Sequence, residues 1–165
     1  MSAEIDIPIH VRDLTYADLP HCTWSGSALH LLVVENELDR AAAGVADYLA
    51  VCAAKSDLPL AIGGIDYELT PGAGSIHQLA TMPALQSCGL GTALIEAAED
   101  RIRQRGLIRA ELGVEQENPR ARALYERLGY VVFDVRPDSW DEEAPDGTIR
   151  RYETVCVIMA KDLRG

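Results

Sequence analysis

The sequence predicts an α/β (α+β) fold, a mixed central β-sheet of about six or seven strands flanked by helices. Three observations predict it. Between residues 75 and 128, signals for strand, helix, strand and helix follow one another without interruption, the order that builds parallel pairing in the middle of a sheet. Ahead of that stretch, short apolar runs bounded by Pro and Gly read as antiparallel strands. The 165 residues suffice for a core without disulfides or a structural metal, and no linker or repeat divides them, so residues 1–165 are expected to form one domain.

Taken in order, Ile9-His-Val-Arg-Asp-Leu alternates apolar and polar side chains like a half-buried strand, and Tyr16-Ala-Asp-Leu-Pro carries helix-start and turn signals. From Ser27 to Leu49 apolar residues recur at helical spacing (Leu31, Val34, Leu38, Ala42, Val45, Leu49), with Gly44 as a weak point. Two strands at 50–54 and 60–69 are expected to flank the turn at Ser56-Asp-Leu-Pro. A strand at 75–81 leads through a loop into a helix whose Leu90, Ala93, Leu94, Ala97, Ala98 and Ile102 share one face. Gly106 suits the position after its last turn, and Glu99 and Arg103 are spaced for an i, i+4 ion pair. A strand at 109–114 and a helix at 118–128 follow. The chain is expected to finish with strands at 130–135 and 152–159 joined by a long polar insert.

Composition narrows the partners. The net charge of −11 repels nucleic-acid phosphate and anionic membrane surfaces, so neither is expected, whereas a cationic small molecule or basic peptide would be drawn in. No run approaches the roughly 18 apolar residues that cross a bilayer, and Met-Ser-Ala-Glu-Ile-Asp-Ile-Pro lacks the basic and apolar regions of a signal peptide, so a cytoplasmic location is expected. Cys22, Cys52, Cys88 and Cys156 form no CxxC pair and no Cys/His spacing that suits zinc; they read as reduced thiols, with no metal expected.

The strongest chemical signal is Gln86-Ser-Cys-Gly-Leu-Gly-Thr, a glycine-containing loop that opens a helix. A helix N-terminus carries unpaired N–H groups and partial positive charge, and Gly89 and Gly91 let an anion approach the backbone without a Cβ in the way. No Lys-Ser/Thr follows the glycines, which removes a P-loop NTPase. A dinucleotide-binding turn wants a third glycine where Leu94 stands.

The longer stretch Leu79-Ala-Thr-Met-Pro-Ala-Leu-Gln-Ser-Cys-Gly-Leu-Gly-Thr-Ala-Leu resembles the acetyl-CoA motif of the GNAT superfamily (GCN5-related N-acetyltransferases), Q/R-x-x-G-x-G/A after a bulged strand. Leu112-Gly-Val-Glu-Gln-Glu-Asn-Pro-Arg-Ala-Arg-Ala-Leu-Tyr-Glu-Arg-Leu-Gly-Tyr is similar to that family's next strand and helix, so the resemblance is specific over about residues 75 to 133. It implies a GNAT fold with a V-shaped sheet and direct acetyl transfer from acetyl-CoA, a co-substrate needing no metal, to a primary amine of a small molecule or peptide. The pyrophosphate would lie on Gln86, Ser87, Cys88, Gly89, Leu90, Gly91 and Thr92, and the pantetheine along Leu79, Ala80 and Thr81. Ser87-Cys88 departs from the basic or polar residues the family often has there.

The same resemblance makes Tyr125 the acid that protonates the departing thiolate, and Asn118 a CoA contact. Asn118 before Pro119 is also an ordinary N-cap followed by Pro at N1. The family often places a basic glutamate where this chain has Ser75 and Gly113. His77, on the face of Ser75 by strand alternation, resembles a strand histidine of arylalkylamine acetyltransferases and is the candidate base, with Glu111 in reserve. The polar insert holds Asp134, Asp138, Asp141, Glu142, Glu143 and Asp146 against Arg136, Arg150 and Arg151, with Trp140 among them as a possible seat for an organic cation. The missing glutamates motivate one alternative, a non-catalytic acyl-CoA-binding sensor on the same fold. A homodimer is left open.

Overall fold

The computed structural model describes residues 1–164. Seven strands form one sheet in the order β1-β2-β3-β4-β5-β7-β6. Its members are β1 (Ile9–Asp13), β2 (Ala46–Ala53), β3 (Pro59–Asp66), β4 (Gly74–Thr81), β5 (Arg109–Glu115), β6 (Val131–Glu143) and β7 (Ile149–Asp162). Only β4 and β5 run parallel; the other neighbours are antiparallel. Helix α1 (Ala28–Ala42) covers one face, and α2 (Leu90–Gln104) with α3 (Pro119–Arg127) covers the other.

Strand alternation sorts the core into these two layers. Leu49, Val51, Ile65, Ile76, Leu112 and Val114 pack with Leu94, Ile95, Ala98 and Ile102 of α2, while Tyr48, Ala50, Cys52 and Ile62 pack with Val34 and Leu38 of α1. No helix among the described residues is long and apolar enough to cross a membrane.

Several element boundaries differ from expectation. Helix α1 starts at its Ser27 N-cap, whose side chain accepts from the His30 amide at 3.2 Å, and ends at Ala42 rather than near Leu49. Gly44, at φ 83°, takes the chain out of the helix. The run from Ala46 is then a strand covered on both faces, so it shows neither period clearly and strand β2 begins four residues before the expected 50. Strand β3 stops at Asp66, not 69, because that carboxylate accepts from the amides of Glu68 and Leu69 and turns the chain.

The expected polar insert is ladder on both sides of a turn at 144–148, with β6 and β7 pairing from Val131↔Ala160 to Glu143↔Ile149. Its charged residues are exposed or half-buried side chains on a two-stranded ribbon, and Glu143 accepts from the Leu29 amide of α1 at 3.4 Å. Nor does Glu99 pair with Arg103. It faces inward, where it accepts from the Tyr130 hydroxyl (2.8 Å) and from Lys161 Nζ (3.0 Å), while Arg103 pairs with Asp100 at 3.0 Å.

At the sheet edge, Arg12 of β1 grips Asp18 with two bonds of 2.7 and 2.9 Å, and the Thr15 amide and hydroxyl donate to the same carboxylate. Its partnership with Arg12 is the main reason the Asp18 carboxyl titrates low, at about 2. A depressed carboxyl contributes stability above its unfolded value and loses it as pH falls through the folded value. Asp18→Asn is therefore expected to cost about 1–2 kcal/mol in urea unfolding near neutral pH. The gap to wild type should close as pH falls from about 4 toward 2.

Candidate active site

Strands β4 and β5 pair over only three positions, Gly74↔Ala110, Ser75↔Glu111 and Ile76↔Leu112. Beyond them β4 continues on β3 to Thr81 and β5 continues on β7 to Glu115, so the sheet opens into a V whose facing edges have no strand partner.

A bulge in β4 shapes that opening. His77 lies opposite Gly64 and Ala80 opposite Ile62, so three steps of β4 match two of β3. The extra residue is Gln78, in the left-handed region at φ 55°, and its side chain accepts from the Tyr48 hydroxyl at 3.0 Å. One consequence follows for side-chain direction. His77 stays on the α1 face while Leu79, two residues on, packs on the α2 face and Ala80 returns to the α1 layer.

On the α2 face the V opens into a cavity of ≈ 630 Å³ between the starts of α2 and α3. Leu79 and Thr81 enter from β4; Gln86, Ser87 and Gly89 from the loop; Leu90, Gly91 and Thr92 from the first turn of α2; Asn118 and Tyr125 from α3. Ala80 and Cys88 do not line it: Ala80 packs in the α1 layer, and the Cys88 thiol lies 3.7 Å from the Gln86 carbonyl.

The turn into α2 uses left-handed Ser87 (φ 64°) and Gly89 (φ 89°), the latter as N-cap without a side-chain bond. The first intrahelical bond of that turn is donated by the Ala93 amide to the Gly89 carbonyl at 3.1 Å. The amides of Leu90, Gly91 and Thr92 thus remain free to bind an anion.

Tyr125 is buried at the floor, its ring edge-on to Tyr130 with centroids 6.4 Å apart. Burial raises its phenol above the ordinary range, which keeps the proton on oxygen near neutral pH. Asn118 caps α3, its side chain accepting from the Ala121 amide at 3.2 Å, and also borders the cavity. Sequence reasoning missed Arg120 and Arg127, which line the cavity and form no ion pair among the described residues. Their i, i+7 spacing on one helix face was a usable signal. They place positive charge opposite the loop whose Ser87-Cys88 supplies none.

The α1 face of the V is differently furnished. His77 Nε2 lies 3.5 Å from Glu37 Oε2 of α1. Ser75, whose hydroxyl is buried without a bonding partner, and Gly113 stand on β4 and β5 and supply no carboxylate to the gap. Glu111 sits where β4 and β5 are still paired, bound by Arg109 (3.0 Å) and the Thr70 hydroxyl (3.2 Å), and so lies outside the gap. At the open end, Trp140 and Tyr152 stack at 5.1 Å, and Tyr152 donates to Glu115 at 2.6 Å. The three hairpin arginines are each bound to a hairpin acid, Arg136 to Asp134, Arg150 to Glu142 and Arg151 to Asp141.

Among the described residues one cluster could ligate a metal: His10, Cys52 and Asp57, at the outer edge of the sheet. Cross-strand pairing of His10 with Cys52 brings it together, which cysteine spacing could not reveal. The Arg12 guanidinium already occupies the Asp57 carboxylate at 2.9 Å, which opposes a second cation there.

Comparison with known proteins agrees with this architecture. A family model described as the acetyltransferase (GNAT) family matches residues 11–130. The ribosomal-protein-S18-alanine N-acetyltransferase of Escherichia coli superposes with a TM-score of 0.65 at 22% identity, covering 96% of each chain. The PaiA N-acetyltransferase of Thermoplasma acidophilum, solved in complex with coenzyme A, gives 0.68 at 16% identity, over 94% of this chain and 99% of that one. A mycothiol acetyltransferase of Beutenbergia cavernae is 53% identical over 62 residues, 38% of this chain. The match spans 21% of that relative's own length.

Proposed function

We propose that this chain, which belongs to the acetyltransferase (GNAT) family, transfers an acetyl group from acetyl-CoA directly to a primary amine of a small molecule or peptide. The observation that carries the reading is the V between β4 and β5, with free helix amides and Tyr125 on one face and His77 on the other.

In this reading the diphosphate binds the amides of Leu90, Gly91 and Thr92, with Arg120 and Arg127 adding charge-assisted contacts. The pantetheine pairs with the unpartnered edge of β4 at Leu79 and Thr81 as an added strand, which carries the thioester into the gap. The amine approaches from the α1 face. Its ammonium form, with a pKa near 10 for an alkylamine, has no lone pair and first gives a proton to His77. The lone pair then forms the C–N bond and the C–S bond breaks. Tyr125 protonates the leaving thiolate, and the second nitrogen proton returns to the tyrosinate, leaving an amide, a thiol and one proton for solvent.

The acidic hairpin, with all its arginines already paired, and the Trp140–Tyr152 stack above Glu115 favour a cationic acceptor. The unpaired thiols and acidic composition fit a cytoplasmic setting. A screen of arylalkylamines, polyamines, aminoglycosides and peptide N-termini, read by thiol release, tests the activity. Ser75 and Gly113 at the glutamate positions favour one second reading, an acyl-CoA sensor. It would bind CoA in calorimetry and release no thiol with any acceptor.

His77→Gln is expected to remove the lower limb of the kcat/KM profile, the rise through the range about 6 to 8 where imidazoles act as bases, while acetyl-CoA affinity holds. Retention of that limb with less than about a threefold loss in kcat/KM would assign proton removal to water.

A further inference from the structure

We infer that Glu37 of α1 is a positioning residue that holds the Nε2–H tautomer of His77 and so makes Nδ1 the nitrogen that accepts the amine proton; this rests on the acetyltransfer reading above. The imidazole is enclosed at Nε2, which has no formed hydrogen bond, and the nearest acceptor is Glu37 Oε2 at 3.5 Å. At that separation the pair is an ion-pair contact, which a small rotation of the Glu37 side chain would close into a bond. The side chain is 29% exposed although Nε2 is enclosed, so the ring meets solvent elsewhere than at Nε2.

Glu37 is built to stay in place. Its carboxylate is only 13% exposed and accepts from Arg40 at 3.0 and 3.1 Å, and Arg40 is anchored in turn by Asp66 (3.0 Å) and Glu68 (2.9 Å). The carboxyl is held below the usual range, chiefly by its partnership with His77 and next by Arg40. A carboxylate beside Nε2 favours the hydrogen on that ring nitrogen, which directs the lone pair to the other.

The other groups beside the ring carry no competing charge. Tyr48 of β2 is kept neutral by burial, and Gly64 of β3 leaves room, since a Cβ there would come within 2.9 Å of His77 Nε2. The remaining charges in the cluster are Arg40 and the Asp66 and Glu68 carboxylates that bind it beside Glu37, so the cluster as a whole is acidic. The sequence hid this pairing because Glu37 and His77 are 40 positions apart and meet only across the α1–sheet interface.

The test is a ¹⁵N-edited imidazole titration of the free protein beside kcat/KM profiles, for wild type, Glu37→Gln and Glu37→Leu. Glu37→Gln keeps a hydrogen-bond acceptor and removes the charge; Arg40 retains Asp66 and Glu68, so the fold should hold. The expected result is an Nε2–H tautomer in wild type and an imidazole midpoint lower by about half to one pH unit in Glu37→Gln, with the kcat/KM limb moving by the same amount. Glu37→Leu should also lose the tautomer preference. An Nδ1–H tautomer in wild type, or an unmoved imidazole midpoint in Glu37→Gln, overturns the inference whatever the turnover. If the midpoint moves and the kcat/KM limb does not, the pairing stands and the base role assigned to His77 falls.

Discussion

Tyr125→Phe is expected to lower kcat on the order of 100-fold with acetyl-CoA binding nearly intact. The substitution keeps the ring that packs edge-on against Tyr130 and removes one oxygen and its proton. Tyr125 lines the cavity together with the first turn of α2, and burial holds the phenol protonated well above neutral pH. Without it the thiolate must leave unprotonated or wait for water. The effect belongs in kcat rather than KM because the proton is transferred only as the C–S bond breaks. Single-turnover rates under saturating acetyl-CoA check it. Full kcat in the variant, with chemistry limiting, would make Tyr125 a packing residue.

Gly91→Val is expected to raise the acetyl-CoA KM at least tenfold with the far-UV spectrum nearly unchanged. The nearest atom to a Cβ at Gly91 is Leu124 Cδ2 at 3.7 Å, an ordinary contact, so the free protein accommodates the branch. The added methyls fall on the cavity wall, beside the free amides proposed to hold the diphosphate. Gly89→Val should show the same loss with an added folding cost, because φ there is +89°. Urea unfolding separates the two variants, and calorimetry with CoA measures the loss they share. An unchanged KM in both removes the diphosphate from this turn.

The acetyl-CoA side was legible because its parts are local. The loop 86–92, the apolar stripe of α2 and the Asn118–Pro119 cap lie within short windows, where helical spacing and helix-end chemistry leave a direct signature, whereas Tyr125 was singled out only by the family resemblance. The same windows misjudged residues whose setting is remote. Glu99 matched an exposed i, i+4 pair with Arg103, yet Tyr130 and Lys161 claim it from inside. Acidic side chains made 134–151 read as an insert, whereas the pairing of two exposed strands tolerates charge on both faces.

By itself, then, the sequence determined the class of sheet and helices and the glycine turn that opens α2, since each depends on neighbours within a turn or two of the same element. Tertiary structure alone decided the opening of the sheet after Ile76 and Leu112 and the left-handed Gln78 that sends His77 and Leu79 to opposite faces. It also decided the meeting of His77 with Glu37 and the gathering of His10, Cys52 and Asp57. These depend on strand register and on where α1 lies across the sheet. Register is settled by the packing of the whole core, and shifting it by one residue would reverse every one of those faces.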